Sequence, residues 1–418
     1  MTIIRPFRAL RPVKDLVGRV AALPYDVMNS EEARELVKNN PHSFLHVDKA
    51  EVDLDPSIDL YDTRVYEKAK ENLNDMIEEG IFIKEDKPCL YIYRQIMNGR
   101  AQTGIVGCTS IDDYMKDIIK KHEHTRPDKE MDRINHVDYC DANTGPIFLT
   151  YRHKSEIDDI VEKWTFKRPL YDFVAEDGIG HMVWIIDDQK DIAKLEKLFG
   201  YVKNFYIADG HHRAASAANI GLKRRKEKHY YTGREEFNFF LSVLFPDKDL
   251  RIMDYNRVVK DLNGLSVEEY MEKVREKFEV ELYEGEEGFK PEKKHTYGMY
   301  LENKWYKLSI KEGICDLKDP VAALDVSVLQ DNILAPILGI ENPRTSDRID
   351  FIGGIRGLRE LERRTNKDMK IAFSMYPTTI QELMAIADAG KVMPPKSTWF
   401  EPKLRSGIFV HELSEGAD

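Results

Sequence analysis

The run Tyr206-Ile207-Ala208-Asp209-Gly210-His211-His212-Arg213 gathers a carboxylate, two imidazoles and a guanidinium around one glycine. Its apolar lead-in reads as a strand, Gly210 permits a sharp turn, and the small residues after Arg213 suit a closely packed helix. A strand that turns into a helix leaves unpaired N–H groups at the helix start, where the dipole favours an anion. With His211, His212 and Arg213 beside those groups, the natural guest is phosphate. Asp209, one residue before the turn, stands where a general base or a Mg²⁺ ligand would be needed. The plainer reading is a capped helix in which Asp209 accepts backbone N–H bonds and the histidines are solvated. Adjacent histidines lack the i, i+4 spacing by which one helix face presents two zinc ligands, so the pair is read as phosphate donors.

A second polar cluster, Lys121-His122-Glu123-His124-Thr125-Arg126-Pro127, falls in the connection between two expected helices, 111–121 and 128–139. Glu123 could act as a general base or hold a substrate ammonium group, with His122, His124 and Thr125 as further contacts. On the following helix Lys129 and Arg133 share one face and Asp132 and His136 another, which adds Arg133 and His136 to the candidates. The competing reading is a solvated, salt-bridged linker. Near the end of the chain, Lys396, Ser397, Thr398 and Lys403 flank Trp399 and Phe400 in a Pro-rich loop that could bind an anion. The glycines of a Walker motif are missing upstream, and a turn with its aromatics plugged into a core is the preferred reading. Gly353-Gly354-Ile355-Arg356-Gly357 fails the GxGxxG spacing and reads as the opening of an amphipathic helix. The basic run Lys223–Lys226 reads as a helix end.

The elements that must position these groups alternate irregularly. Asn29 and Glu32 form a capping-box pattern, and Tyr66, Ala69, Leu73, Met76 and Ile77 recur at helical spacing up to a stop at Gly80. Asn98-Gly99 joins two apolar runs as a tight hairpin. Five further apolar runs up to residue 245 read as strands, with a helix over 189–199. The mixture predicts an α+β fold with a mixed sheet. The charged segment 285–294 is expected to be a junction or long surface loop, which divides the chain into 1–85, 86–290 and an additional carboxyl-terminal α/β domain, 291–418. The last expected strand is GIFVHEL, 407–413.

The 418 residues are 42% apolar and 33% charged, an ordinary globular balance that excludes collagen-like, low-complexity and wholly disordered classes. A net charge of −11 repels nucleic acid unless a local basic face exists. Four scattered cysteines make no disulfide framework or CxxC knuckle. No stretch resembles a signal peptide or a bilayer-crossing segment, so a cytoplasmic protein is expected.

The Asp209-Gly210-His211-His212-Arg213 turn resembles the phosphate-binding box of the ParB/sulfiredoxin superfamily, and most closely that of ParB-like free L-serine kinases. From RPFRALRP through PYDV, SFLHV, KHEHT, GPIFL and the DGHHR box to PPKSTWFEPK, the chain is similar to a large prokaryotic family of unknown function sometimes labelled ParB-like. The resemblance implies a ParB/sulfiredoxin-like core, with Gly210, His211, His212 and Arg213 cradling donor phosphates and Asp209 near the acceptor hydroxyl. It also implies an upstream catalytic glutamate, for which Glu123 is the best candidate, and Mg²⁺. The expected activity is phosphoryl transfer from pyrophosphate or a nucleotide to free serine or a similar metabolite. The alternatives are a nucleotide-responsive or DNA-associated regulatory protein, and a phosphatase or pyrophosphatase.

Overall fold

Asn98 and Gly99 take positive φ, 52° and 76°, and so close the hairpin between β2 (Leu90–Met97) and β3 (Arg100–Ser110), in register from Tyr91↔Val106 to Met97↔Arg100. The computed structural model describes residues 1–228 and 230–414. It divides into two compact units, Met1–Leu250 with Pro402–Asp418, and Arg251–Glu401.

In the first unit the hairpin lies within a nine-stranded sheet. Its other strands are β1 (Ile4–Arg5), β4 (Ile119–Lys120), β5 (Ile147–Tyr151), β6 (Tyr171–Val174), β7 (Gly180–Ile186), β8 (Phe205–Asp209) and β9 (Phe239–Pro246). The order is β4-β8-β5-β9-β3-β2-β7-β6, with β1 also on β3. The β4–β8 and β5–β9 pairs are parallel and the rest antiparallel, which makes the mixed sheet expected of an α+β fold. Two amphipathic helices, Ser155–Thr165 and Gln189–Gly200, bury Ile157, Ile160, Trp164, Leu195 and Phe199 with the sheet's Ile and Leu side chains. Each such side chain contributes roughly 1.5–3 kcal/mol by leaving water. A separate core forms where the capped helix Thr63–Glu78 packs Val65, Ala69, Leu73 and Met76 with Phe44, Val47 and Phe82.

Two further helices carry the residues of interest, α1 (Pro127–Cys140) and α2 (His211–Glu227). Besides His211 and Ile220, the buried positions of α2 are Ala214, Ala215, Ser216, Ala217, Ala218 and Gly221, small enough for the backbone to approach its neighbours closely. A β-carbon on Gly221 would lie 2.4 Å from the Phe237 carbonyl oxygen. The basic end of α2 is neutralised: Lys223 and Arg224 pair with Asp138, Arg224 also with Asp141, and Arg225 with Asp112. Among the described residues no helix is long and apolar enough to cross a membrane.

The carboxyl-terminal stretch is part of this unit. Val410 exchanges backbone hydrogen bonds with Leu10, Phe409 packs 4.9 Å from Tyr91 between ring centroids, and His411–Glu412 pairs with Ala142–Asn143. Only those two residues of the expected 407–413 strand are in a ladder. The helix expected over 111–121 stops at Met115, because Asp117 adopts φ +55° and the chain enters the sheet at Ile119 as β4.

The second unit holds a six-stranded antiparallel sheet, in the order Phe278–Tyr283, Lys304–Ile310, Thr296–Leu301, Ile371–Ser374, Tyr255–Val259, Ile349–Gly353. The expected boundary at 290 is therefore corrected: 284–295 is a loop between two strands of one sheet, and the unit runs from 251 to 401. Antiparallel pairing throughout also makes it α+β rather than α/β. The Gly353–Gly357 stretch leads into the helix Leu358–Lys367, as its pattern predicts.

Gly221→Ala is expected to destabilise the protein by about 1–3 kcal/mol, although alanine is the better helix former by about 1 kcal/mol. Urea denaturation measures it; a variant as stable as the parent would mean that α2 is not tightly seated.

Candidate active site

Strand β8 ends on Asp209, Gly210 takes φ +92°, and α2 starts at His211. Only glycine adopts that conformation without strain, and here it has a second use. The Arg213 guanidinium lies close against residue 210, its Nε 3.2 Å from the position a β-carbon would take. No side chain caps the helix start, so the first-turn N–H groups of α2 are left for an outside acceptor.

Asp209 Oδ1 accepts the Gly210 N–H at 2.9 Å, and Oδ2 lies 3.2 Å from the Lys403 ammonium. Burial alone would raise the pKa of Asp209, but the charges of Lys403 and Arg213 overcome it and hold the group well below the usual carboxylate range. Arg213 donates Nη1 to the Pro146 carbonyl and, among the described residues, stands in no ion pair with a carboxylate. It lines a narrow cavity of about 20 Å³ together with Tyr25, Asp48, Arg133, His136 and Thr144. Arg133 is held by Asp132 at 3.0 Å and stacks 4.0 Å over the Tyr25 ring; Thr144 donates to Asp48 at 2.7 Å. Burial and then Arg133 lower the pKa of His136, whose Nε2 bonds the Val47 carbonyl at 3.0 Å.

The two histidines of the turn differ from the paired phosphate donors expected. His211 is buried, its ring in a perpendicular contact 4.5 Å from that of His122, and burial and His122 push its pKa far down. What it can offer an anion at the turn is its backbone N–H. His212 is half-buried, and its Nε2 accepts the Arg126 N–H at 3.0 Å. Of the 121–127 cluster, Glu123 comes to the turn: its carboxylate and the rings of His122 and His211 have ligand atoms within 4.8 Å of one another. His124 is exposed, and Thr125 instead bonds Glu130 at 2.6 Å.

Lys403 is reached through the segment that follows the second unit. Its carbonyl accepts from Gln95, and two residues on Arg405 pairs with Asp177 and donates to His181 at 3.4 Å. His181 in turn bonds the Tyr93 hydroxyl at 2.8 Å. Lys396, Ser397 and Thr398 belong to the second unit, where Ser397 is buried and donates to the Pro394 carbonyl. Of the two aromatics expected to plug a core, Phe400 is buried and Trp399 only half-buried.

As a direct magnesium ligand, Asp209 would have to share its oxygens with the partners it already has. One carboxylate oxygen faces an ammonium group and the other a backbone N–H, and Asp209 is outside the one His/Glu group among the described residues compact enough to share an ion.

The family model described as "Protein of unknown function (DUF1015)" matches residues 4–327. The chain is a member of the DUF1015 family. None of the curated proteins matches it. Among solved structures, this DUF1015 chain is similar to free serine kinase in complex with AMP, at 17% identity and TM-score 0.35 over 74% of this chain and 93% of that one. It is also similar to a point mutant of free serine kinase in complex with ADP, at 16% and 0.37 over 76% and 96%. SbnI with a C-terminal truncation from Staphylococcus aureus follows at 10% and 0.39 over 75% and 90%.

His181, pushed down to about 3 by burial and by Arg405, stays neutral in the folded protein while its unfolded counterpart titrates near 6.5. The unfolded chain therefore binds the proton first, and stability falls as pH drops from about 6.5 towards 3, by up to ~1.4 kcal/mol per pH unit for this group. Denaturation across that range should show His181→Gln with a shallower acid loss than the parent. Parallel curves would place the acid sensitivity elsewhere.

Proposed function

We propose that this DUF1015 protein is a small-molecule kinase that transfers a phosphoryl group from pyrophosphate or a nucleotide to the hydroxyl of free L-serine or a similar metabolite. The observation that carries the reading is the uncapped start of α2 behind Gly210, with the Arg213 guanidinium folded over it and Asp209 kept ionised beside Lys403. Phosphoryl transfer asks for little covalent chemistry from the protein; it needs the acceptor in line and the charge of the transferred group balanced. The first-turn N–H groups and Arg213 would hold the donor phosphate, and Lys403 would offset charge on the oxygens in flight.

Asp209 suits the task of receiving a hydrogen bond from the acceptor hydroxyl and aiming its oxygen. Its depressed pKa makes it a weak proton acceptor, which a loose transition state tolerates because the hydroxyl proton leaves late. A likeness to the ParB/sulfiredoxin core belongs to this proposal, as do a soluble cytoplasmic setting and a serine-like acceptor. The acidic balance and the neutralised basic end of α2 weigh against a DNA-associated role.

The test is to incubate the purified chain with serine and each of ATP, ADP and pyrophosphate, and to assay phosphoserine. Product is expected with at least one donor. Arg213→Ala and Asp209→Asn should each lower kcat/KM by about 100-fold or more while leaving the melting transition cooperative. No product from folded protein with any donor would overturn the kinase reading, and phosphate released without an acceptor would turn it into a hydrolase. Full activity in both variants would move the site away from this turn.

A further inference from the structure

The short parallel pair of β4 and β8, Ile119↔Phe205 and Lys120↔Tyr206, sends the chain after Lys120 along the end of β8. His122 follows two residues later and hydrogen-bonds the Ile207 carbonyl through one ring nitrogen. The same strand end turns at Gly210 and opens α2 with His211. Two imidazoles from distant parts of the sequence thus meet edge to face, centroids 4.5 Å apart, with the half-buried Glu123 beside them. One ligand atom from each of the three lies within 4.8 Å of the others. Ligands on a tetrahedral ion with bonds of 2.0–2.1 Å stand roughly 3.4 Å apart, so small side-chain rotations close the set.

Two features point to a cation rather than to an ordinary histidine cluster. His211 is only 8% exposed, and its Nε2 has no hydrogen-bond partner, a state that costs a buried polar atom about 1–3 kcal/mol. An ion would satisfy it. His122 donates to a backbone carbonyl, which fixes its tautomer and turns the lone pair of the opposite nitrogen outward from that bond, the usual support of a metal-bound imidazole.

We infer that His122, Glu123 and His211 bind one divalent transition-metal ion of the Zn²⁺ and Co²⁺ class, through two imidazole nitrogens and one carboxylate oxygen. Two nitrogen donors disfavour Mg²⁺ and Ca²⁺, which prefer all-oxygen sets. Three protein ligands leave at least one coordination position for an outside oxygen, water or phosphate. The site does not depend on the kinase reading, since Asp209, Arg213 and Lys403 are not among its ligands.

Titration of the chelator-treated, tag-free full chain with Co²⁺ tests it. One ion per chain and the intense visible bands of four- or five-coordinate Co²⁺ are expected, displaced by Zn²⁺ and unaffected by a large excess of Mg²⁺. His211→Ala and His122→Ala should weaken binding by at least about tenfold. Glu123→Gln, at a half-exposed position that folding tolerates, should also weaken binding and alter the bands, whereas the distant His153→Ala should bind as the parent does. Weak binding with an octahedral spectrum, or binding equal in all four variants, would overturn the inference. Phosphoserine formation is read separately, so failure of the kinase assay with Co²⁺ bound, or the reverse, assigns the failure to one proposal alone.

Discussion

Asp209 keeps its charge at the half-buried end of β8 because two cations stand against it. Desolvation opposes an ionised carboxylate there, and without Lys403 and Arg213 it would win. The three groups come from a strand end, a helix start and the last stretch of the chain, so the interaction is also a tie between distant parts of the first unit. Gly210 permits it. A β-carbon at 210 would press on the Arg213 guanidinium at 3.2–3.3 Å, and the φ of +92° would be strained as well.

The sheet is what makes the surrounding chemistry possible. Parallel pairing between a two-residue strand and β8 places the 121–127 segment beside the turn, and the small-residue face of α2 lets the helix start close to it. A carboxylate, two buried neutral imidazoles and two cations are then packed within one corner, with their preferred protonation states set by burial and by one another.

Local features were legible in the sequence. The Asn98-Gly99 hairpin, the Asn29 capping box and the strand, turn and helix around Gly210 each follow from a few adjacent residues, and the structure has all three. What depends on distant residues was not. Lys403 stood out as a cation in a Pro-rich loop, but nothing in local composition says that its partner is Asp209, 194 residues earlier. Helical periodicity past Ile111 concealed the left-handed Asp117 and the switch into β4. The search for i, i+4 histidine pairs misses His122 and His211 because parallel pairing, not a helix face, brings them together. The charged 285–294 stretch marks a surface loop, and charge alone does not say whether such a loop joins two domains or two strands.

Residues 402–418 belong with 1–250, so the second unit is an insertion within the first. A ribosome delivers residues 251–401 before it delivers Lys403. The nascent first unit therefore waits, with Asp209 lacking its ammonium partner and Tyr91 lacking Phe409, until the whole insertion has been synthesised. The corner around Gly210 is completed only after the insertion has been made, and a message cut short after the insertion yields a protein that has every residue of the DGHHR turn but not the charge balance that holds it.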